Sequence, residues 1–226
     1  MKLNSRVRQA GFTLVEIAIV LVIIGLLLGG VLKGQELIES GRVKSATATF
    51  NGVQAAVAGY RDRYRNVPGD DCCVAAKTAR GGDWVNAMAG TGQNTAPNGV
   101  VDDATIAAWG AWNGWQHVTF WIDLYAGGFL TGDPTARNAT VFPRNPWGGT
   151  VDIVNVGAVY GGPVNALVAC MNTVPGKAAA QLDNALDDGR ANSGDIRADV
   201  AAAPAAALPG VAAYNEGNTY TVCRRI

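Results

Sequence analysis

The sequence predicts an α+β protein in which a long N-terminal α-helix packs on a small antiparallel β-sheet domain with additional helices. Three features support this prediction: a long apolar run near the N-terminus, an apolar stripe of helical spacing that follows it, and short strand-like segments between turn residues later in the chain. The 226 residues are 49% hydrophobic and include 29 glycines, which indicates a folded chain rich in loops.

The composition argues against several classes of function. The chain has 18 Lys+Arg and 18 Asp+Glu, whereas nucleic-acid-binding domains usually carry a basic excess, so no specific nucleic-acid partner is predicted. A single histidine leaves little material for a catalytic zinc site. The sequence has no G-x-S-x-G, P-loop or H-E-x-x-H motif, so no catalytic residue is assigned. A membrane-anchored enzyme or carbohydrate-binding protein therefore remains only a remote alternative to the structural function inferred below.

The apolar run covers residues 12–32 and contains one charged residue, Glu16. About 20 apolar residues are needed to cross a bilayer as a helix, so this run is long enough for one span. The residues before it carry only basic charges, whereas those after it carry mixed charges. The positive-inside rule therefore places residues 1–11 in the cytoplasm and most of the chain on the other side of the membrane.

Two ordinary interpretations of this run fit it incompletely. A cleaved secretory signal needs small residues just after the apolar run, but the nearest A-x-A, at residues 46–48, lies beyond five charged residues. A plain signal anchor does not explain Glu16. A carboxylate inside a membrane helix costs about 2.5 to 3.5 kcal/mol, so it is a candidate functional residue.

Residues 11–16 read G-F-T-L-V-E, directly after a short basic leader and directly before the apolar run. This pattern resembles the processing site of type IV prepilins and type II secretion pseudopilins. The resemblance implies that a membrane-embedded aspartyl prepilin peptidase cuts after Gly11 on the cytoplasmic side. It also implies that the new N-terminal residue, Phe12, is N-methylated and that the helix is retained as the core of a helical filament.

The resemblance implies a division of the chain and a set of partners. Residues 1–11 would be the cleaved leader, 12–33 the transmembrane and filament-core helix, 34–66 its amphipathic continuation, and 67–226 an extracytoplasmic pilin-like domain. The partners would be the peptidase/methyltransferase, copies of the chain or other pilins, and an inner-membrane assembly platform. The expected location is the inner membrane, as a single-pass protein, and then an extracellular or periplasmic filament.

The implied function is that of a structural subunit, a major or minor pilin, of a type IV pilus-like filament. A pseudopilin of a type II secretion system is the alternative. The 160 residues of the predicted outer domain are many for the main pseudopilin, which favours the pilus. Neighbouring genes for a retraction ATPase or for an outer-membrane secretion cluster would separate the two.

Glu16 has a physical role under this interpretation. Cleavage creates an α-ammonium at Phe12, one helical turn from Glu16 on the same face. When helices pack side by side with an axial stagger, the ammonium of one chain can meet the carboxylate of its neighbour. Because an unpartnered buried charge is costly, Glu16 would set the register of assembly. The alternative is an unpaired Glu16 that reaches the interface from the helix end.

An apolar stripe predicts that the same helix continues to residue 65. Its members follow spacings of three and four: Val43, Ala46, Phe50, Val53, Val57, Tyr60 and Tyr64. The pattern stops at residues 66–69, where Pro68 and Gly69 disfavour helix.

The remaining elements are predicted from local signals. They are a glycine-rich loop at 67–102, a helix at 103–126, strands at 150–155 and 165–171, a helix at 175–188, an Ala/Pro surface loop at 198–209 and a last edge strand at 220–223. Three segments, V-P-G-D-D at 67–71, W-Q-H at 115–117 and L-D-N-A-L-D-D-G at 182–189, look like parts of a subgroup of pilin-like proteins.

The four cysteines are Cys72, Cys73, Cys170 and Cys223. An even number in an extracytoplasmic domain favours disulfides. A bond between the adjacent Cys72 and Cys73 would close an eight-membered ring, so each is predicted to bond to Cys170 or Cys223. The sequence leaves open which of the two bonds to which. A metal site is disfavoured because the usual C-x2-C spacing is missing.

Tryptophans surround the single histidine, His117, and could form a stacking surface for sugar or DNA. These tryptophans are Trp109, Trp112, Trp115 and Trp121. Their spacing in a predicted helix favours core packing instead, and His117 has no suitable nucleophile nearby, so its predicted role is structural.

Two acidic groups could bind calcium through carboxylate oxygens. The first contains Asp102 and Asp103, and the second contains Asp183, Asp187, Asp188 and Asp195. Neither matches the D-x-[DN]-x-[DN]-G pattern, so solvated loops and no cofactor are predicted, with calcium as the alternative.

Overall fold

The computed structural model describes residues 13–87, 97–101, 116–155, 167–200 and 213–226. The helices are α1 (Leu14–Tyr64), α2 (Val74–Thr78), α3 (Asp83–Ala87), α4 (Gln116–Ala126) and α5 (Gly176–Leu186), with a short 3-10 helix at Ala139–Val141. The strands are β1 (Val151–Asn155), β2 (Leu167–Pro175), β3 (Ile196–Asp199) and β4 (Thr219–Arg225). This is the predicted α+β architecture.

The chain divides after Gly41 into two compact units. In the first unit, the described residues belong almost entirely to α1, and their apolar side chains are exposed, as in Leu14 (86%) and Leu26 (74%). Within the described ranges, α1 is the one helix that is long and apolar enough to cross a membrane, and its most apolar stretch is not buried.

The second unit contains the C-terminal part of α1, and the predicted stripe forms one side of its core. The buried residues of α1 are Val43, Ala46, Phe50, Val53, Ala56, Val57 and Tyr60. Tyr64 is partly buried and packs against the same core. The predicted helix is therefore confirmed, and it ends before Arg65, whose φ of +60° leaves the helical region.

The sheet has four antiparallel strands in the order β1-β2-β4-β3. The prediction of β4 as an edge strand is wrong, because β4 pairs with β2 on one side and with β3 on the other. Strand β3 was not predicted, since its four residues are too few for a clear alternation and the last two fall within the predicted Ala/Pro loop. The surface loop predicted at 198–209 is wrong at Ala198 and Asp199, which belong to β3, and its residues 201–209 lie outside the described residues.

The other local predictions meet with mixed outcomes. The strands near 150–155 and 165–171 and the helix near 175–188 are confirmed as β1, β2 and α5. The predicted loop at 67–102 is partly wrong, because it contains α2 and α3. The helix predicted at 103–126 is described from Gln116 onward, as α4; its earlier part lies outside the described residues.

The predicted pairing of the cysteines is wrong. Cys170 in β2 and Cys223 in β4 are bonded to each other, and the adjacent Cys72 and Cys73 are bonded to each other. The cause is the strand register, which places Cys170 directly opposite Cys223 in neighbouring strands. Because Cys170 and Cys223 bond to each other, neither is available to Cys72 or Cys73, which therefore bond to each other.

The bond between β2 and β4 is expected to make the larger contribution to stability. Changing Cys170→Ala and Cys223→Ala should lower the free energy of unfolding by about 4 kcal/mol, because the bond joins residues separated by 53 positions and restricts the unfolded chain. The measurement is urea unfolding of the full chain in detergent. In the matched control, Cys72→Ala with Cys73→Ala, the loss should be about 1 kcal/mol or less, because adjacent residues close no long loop. Equal losses would contradict this prediction.

Candidate functional site

The first turn of α1 holds Glu16 through a capping box. The Glu16 Oε2 accepts hydrogen bonds from the backbone N–H of Thr13 and from its hydroxyl, both at 2.8 Å. In return, the Glu16 N–H donates to Thr13 Oγ1 at 3.3 Å. Thr13 therefore caps the helix, and Glu16 occupies the third helical position, as in the S/T-x-x-E motif.

Sequence reasoning missed this role of Thr13, although the signal was present. Thr13 and Glu16 have the spacing of a capping box directly before an apolar run. Among the described residues, both hydrogen bonds that the Glu16 carboxylate accepts end on Oε2, so Oε1 has the capacity to accept from a cation. Gly11 and Phe12 lie outside the described residues.

A second polar site, in the second unit, is built around Asp71. This buried carboxylate accepts from Tyr60 Oη at 2.7 Å, from Asn66 Nδ2 at 2.7 Å and from Arg80 Nη2 at 2.5 Å. Burial and the nearby carboxylates raise the pKa of Tyr60 far above its usual range, so its hydroxyl remains a donor. Asp71 thus ties the end of α1 to the segment that follows α2.

Arg80 is held by ring contacts as well as by Asp71. Its guanidinium carbon lies 4.1 Å from the centroid of the Tyr64 ring and 4.6 Å from that of Trp84. Both distances are within the range of cation–π attraction. The last turn of α1 and helix α3 therefore share one cationic side chain.

A buried ion pair connects the same segment to α4. Lys77 Nζ lies 2.8 Å from Asp123 Oδ1 and 2.7 Å from Oδ2, and both side chains are at most 4% exposed. The Gly69 N–H also donates to Asp123 Oδ2, at 2.8 Å. Gly69 has φ +85°, and a Cβ there would meet the Gln116 carbonyl oxygen at 2.5 Å, so a side chain does not fit. We call the Asp71 and Asp123 contacts together the polar hub.

The polar hub gives a structural role to the V-P-G-D-D segment. Gly69 and Asp71 join it directly, while Asp70 accepts from the backbone N–H groups of Asn98 (3.1 Å) and Gly99 (2.6 Å). Each carboxylate of this segment therefore fixes a different neighbour. The observed contacts are those of a joint between helices and loops.

The L-D-N-A-L-D-D-G segment brings three acids together at the end of α5. One oxygen from each of Asp183, Asp187 and Asp188 lies within 4.8 Å of the others. Asp183 accepts from Tyr214 Oη at 2.6 Å and from the Gly189 N–H at 3.1 Å. These are the described residues that could offer oxygen ligands to a metal ion.

The other two acids of this group, Asp187 and Asp188, also accept hydrogen bonds from nearby residues. Asp187 accepts from the Ile196 N–H at 2.9 Å, and Asp188 accepts from Ser193 Oγ at 2.6 Å. The Ser193 hydroxyl holds the pKa of Asp188 below its usual value. The Asp195 Oδ1 lies 3.7 Å from Arg225 Nη1. The other candidate calcium ligands, Asp102 and Asp103, lie outside the described residues.

The aromatic residues near α4 belong to the core. Trp121 is fully buried and donates from Nε1 to Asp152 Oδ1 at 3.1 Å. His117 is buried with its ring parallel to Phe142, at a centroid distance of 6.0 Å. The structural role predicted for both residues is confirmed. The other three tryptophans of the predicted cluster lie outside the described residues.

The comparison with known families identifies the N-terminal segment. Residues 6–32 match the prokaryotic N-terminal methylation motif. The chain carries the signature of type IV pilins and pseudopilins. The methylation motif contains Thr13, Glu16 and the apolar half of α1 that precedes residue 33. No curated protein and no solved structure matches the chain.

The capping box generates a prediction about the start of α1. Changing Thr13→Ala should destabilise the helix start by about 1 kcal/mol, because the side-chain acceptor and donor at the cap are lost. Hydrogen exchange of the full chain in detergent should show faster exchange in residues 14–17. Thr13→Ser keeps the hydroxyl and should exchange like the wild type. If residues 14–17 of the alanine variant also exchange at the wild-type rate, Thr13 does not stabilise the helix start.

The acidic group at the end of α5 is expected to bind no calcium. Its carboxylates already accept hydrogen bonds from backbone N–H groups and hydroxyls, which a cation would have to displace. Calorimetric titration of the full chain with CaCl₂ should give no saturable heat. A saturable heat that disappears in Asp187→Asn would establish a calcium site in place of this prediction.

Proposed function

We propose that the chain is a structural subunit of a type IV pilus-like filament, assembled through its N-terminal apolar helix. The observation that carries the proposal is the methylation motif at residues 6–32 on a helix whose apolar side chains are exposed. Exposed apolar surface of this extent is stable only in a membrane or against other protein. A filament core made of such helices supplies the second environment.

Processing follows from the motif. The prepilin peptidase cuts between Gly11 and Phe12 and the new N-terminus is methylated, which keeps it cationic. The basic leader supports a cytoplasmic position for this end and a position on the opposite side of the inner membrane for residues 67–226. The inner-membrane assembly platform extracts the subunit into the filament, which is extracellular or periplasmic.

The geometry of Glu16 supports a role in subunit register. In the single chain, Thr13 satisfies Oε2 and so reduces the cost of keeping this carboxylate in an apolar segment. During assembly, Oε1 accepts from the methylated α-ammonium of a neighbouring subunit. Since a buried charge without its partner is destabilising by about 3 to 5 kcal/mol, misregistered neighbours are rejected. Neither step requires a cofactor.

The methylation motif is shared with pseudopilins, so a pseudopilin of a type II secretion system is the second candidate. The same cleavage and the same helix packing would serve it. The size of the outer domain favours the pilus, and the polar hub and acidic group have the contacts of structural joints. We therefore propose a structural role and no enzymatic one.

The processing step predicts the N-terminus of the mature chain. Protein purified from the native membrane or filament should begin at Phe12 and carry one N-methyl group. N-terminal sequencing and the intact mass measure both. A mature chain that begins at Met1, or after residue 46, would refute the cleavage. As a control, the chain is expressed in cells that lack the peptidase, where the leader should remain attached.

The register proposal predicts that charge at residue 16 is needed for assembly. Glu16→Gln keeps a capping side chain but removes the charge, so the variant should stay in the membrane and be absent from sheared filaments. Thr13→Ala removes the cap but keeps the charge of Glu16, so this variant should still assemble into filaments. Glu39→Ala, in the part of α1 that follows the apolar run, is the matched control. Filaments that contain Glu16→Gln at the wild-type level would overturn the pairing.

A further inference from the structure

The disulfide between Cys72 and Cys73 differs from the other disulfide in its surroundings. Both of its side chains are partly exposed, whereas Cys170 and Cys223 are fully buried in the two interior strands. It lies between Asp71 and α2, and therefore between the two halves of the polar hub. The first disulfide is therefore less buried than the second.

Stability does not account for this bond. A disulfide stabilises mainly by restricting the unfolded chain, and the restriction grows with the length of the closed loop. Adjacent cysteines close almost none. In addition, Cys73 has φ +57°, a conformation that residues with a side chain rarely adopt. Unfavourable backbone geometry of this kind is typical of functional positions.

The backbone at Cys73 determines where α2 begins. The Cys73 carbonyl accepts from the Lys77 N–H at 3.1 Å, which is the first hydrogen bond of the turn that carries Lys77. The ammonium of Lys77 is the group that pairs with Asp123 in the core. On the other side, Asp71 directly precedes the disulfide and is fixed by Tyr60. A change at residues 72–73 is thus transmitted to both halves of the polar hub.

We propose that Cys72–Cys73 is a thiol–disulfide exchange site, reduced by a dithiol, that controls how tightly α2 is held in the polar hub. A thiolate of the dithiol attacks one sulfur, the bond between the two cysteines breaks, and the other cysteine leaves as a thiolate and is protonated. The second thiol of the reductant then attacks the mixed disulfide. The chain gains two electrons and two protons, and the dithiol becomes a disulfide.

Reduction has a defined structural consequence. Without the bond, Cys73 is free to leave the left-handed region, so its carbonyl no longer holds the Lys77 N–H in place. The segment 74–80 then opens more often, while the sheet, which keeps Cys170–Cys223, does not change. Local opening of this kind is measured by hydrogen exchange.

The first test is selective reduction of the full-length protein in detergent. The chain is incubated with increasing dithiothreitol, free thiols are alkylated, and peptides are quantified by mass spectrometry. Cys72 and Cys73 should become alkylated at a dithiothreitol concentration at least tenfold lower than Cys170 and Cys223. Reduction of both pairs at the same concentration, or of Cys170–Cys223 first, would overturn the proposal.

The second test measures the structural response at the selective concentration. Amide exchange in residues 74–80 should become at least fivefold faster on reduction, return on reoxidation, and stay unchanged in residues 167–175. The variant with Cys72→Ser and Cys73→Ser should exchange at the fast rate with or without dithiothreitol. If reduction of the wild type leaves exchange in 74–80 unchanged, the bond has no control over α2, whether or not the serine variant folds.

Discussion

The exclusion of water from the apolar half of α1 is the constraint on which the rest of this protein depends. The side chains between residues 14 and 32 are exposed in the single chain, and the described residues of their unit do not bury them. Hydrophobic surface of this length is stable in a bilayer or against equivalent helices. Under the proposed function, membrane insertion and filament formation are two ways of removing this same apolar surface from water.

Charges are kept where this protein can satisfy them. Glu16 is the one acid between residues 14 and 32, and the cap at Thr13 gives its carboxylate two donors within the single chain. In the second unit, Asp71 and Asp123 are buried and are matched by Arg80 and Lys77. A buried charge is costly alone and specific when paired, so the two pairs of the second unit define positions in the fold more than they add net stability.

The polar hub shows how a short segment can connect several helices. Within residues 69–80, the Asp71 side chain contacts the last turns of α1, and the Lys77 side chain and the Gly69 N–H contact Asp123 in α4. The disulfide at residues 72–73 lies in the middle of this connection and adds no long loop closure. Its position makes the attachment of α2 sensitive to the redox state, whereas the sheet depends on a separate, fully buried bond.

The sequence by itself determined the elements whose signals are local. The apolar run, the stripe ending at Tyr64, and the strands and helix near 151–186 follow from periodicity and turn residues over short windows. The tertiary structure alone decided the place of β4 inside the sheet, the pairing of Cys170 with Cys223, and the partners of Asp71 and Asp123. These depend on strand order and on contacts between residues far apart in the chain, which no local pattern encodes.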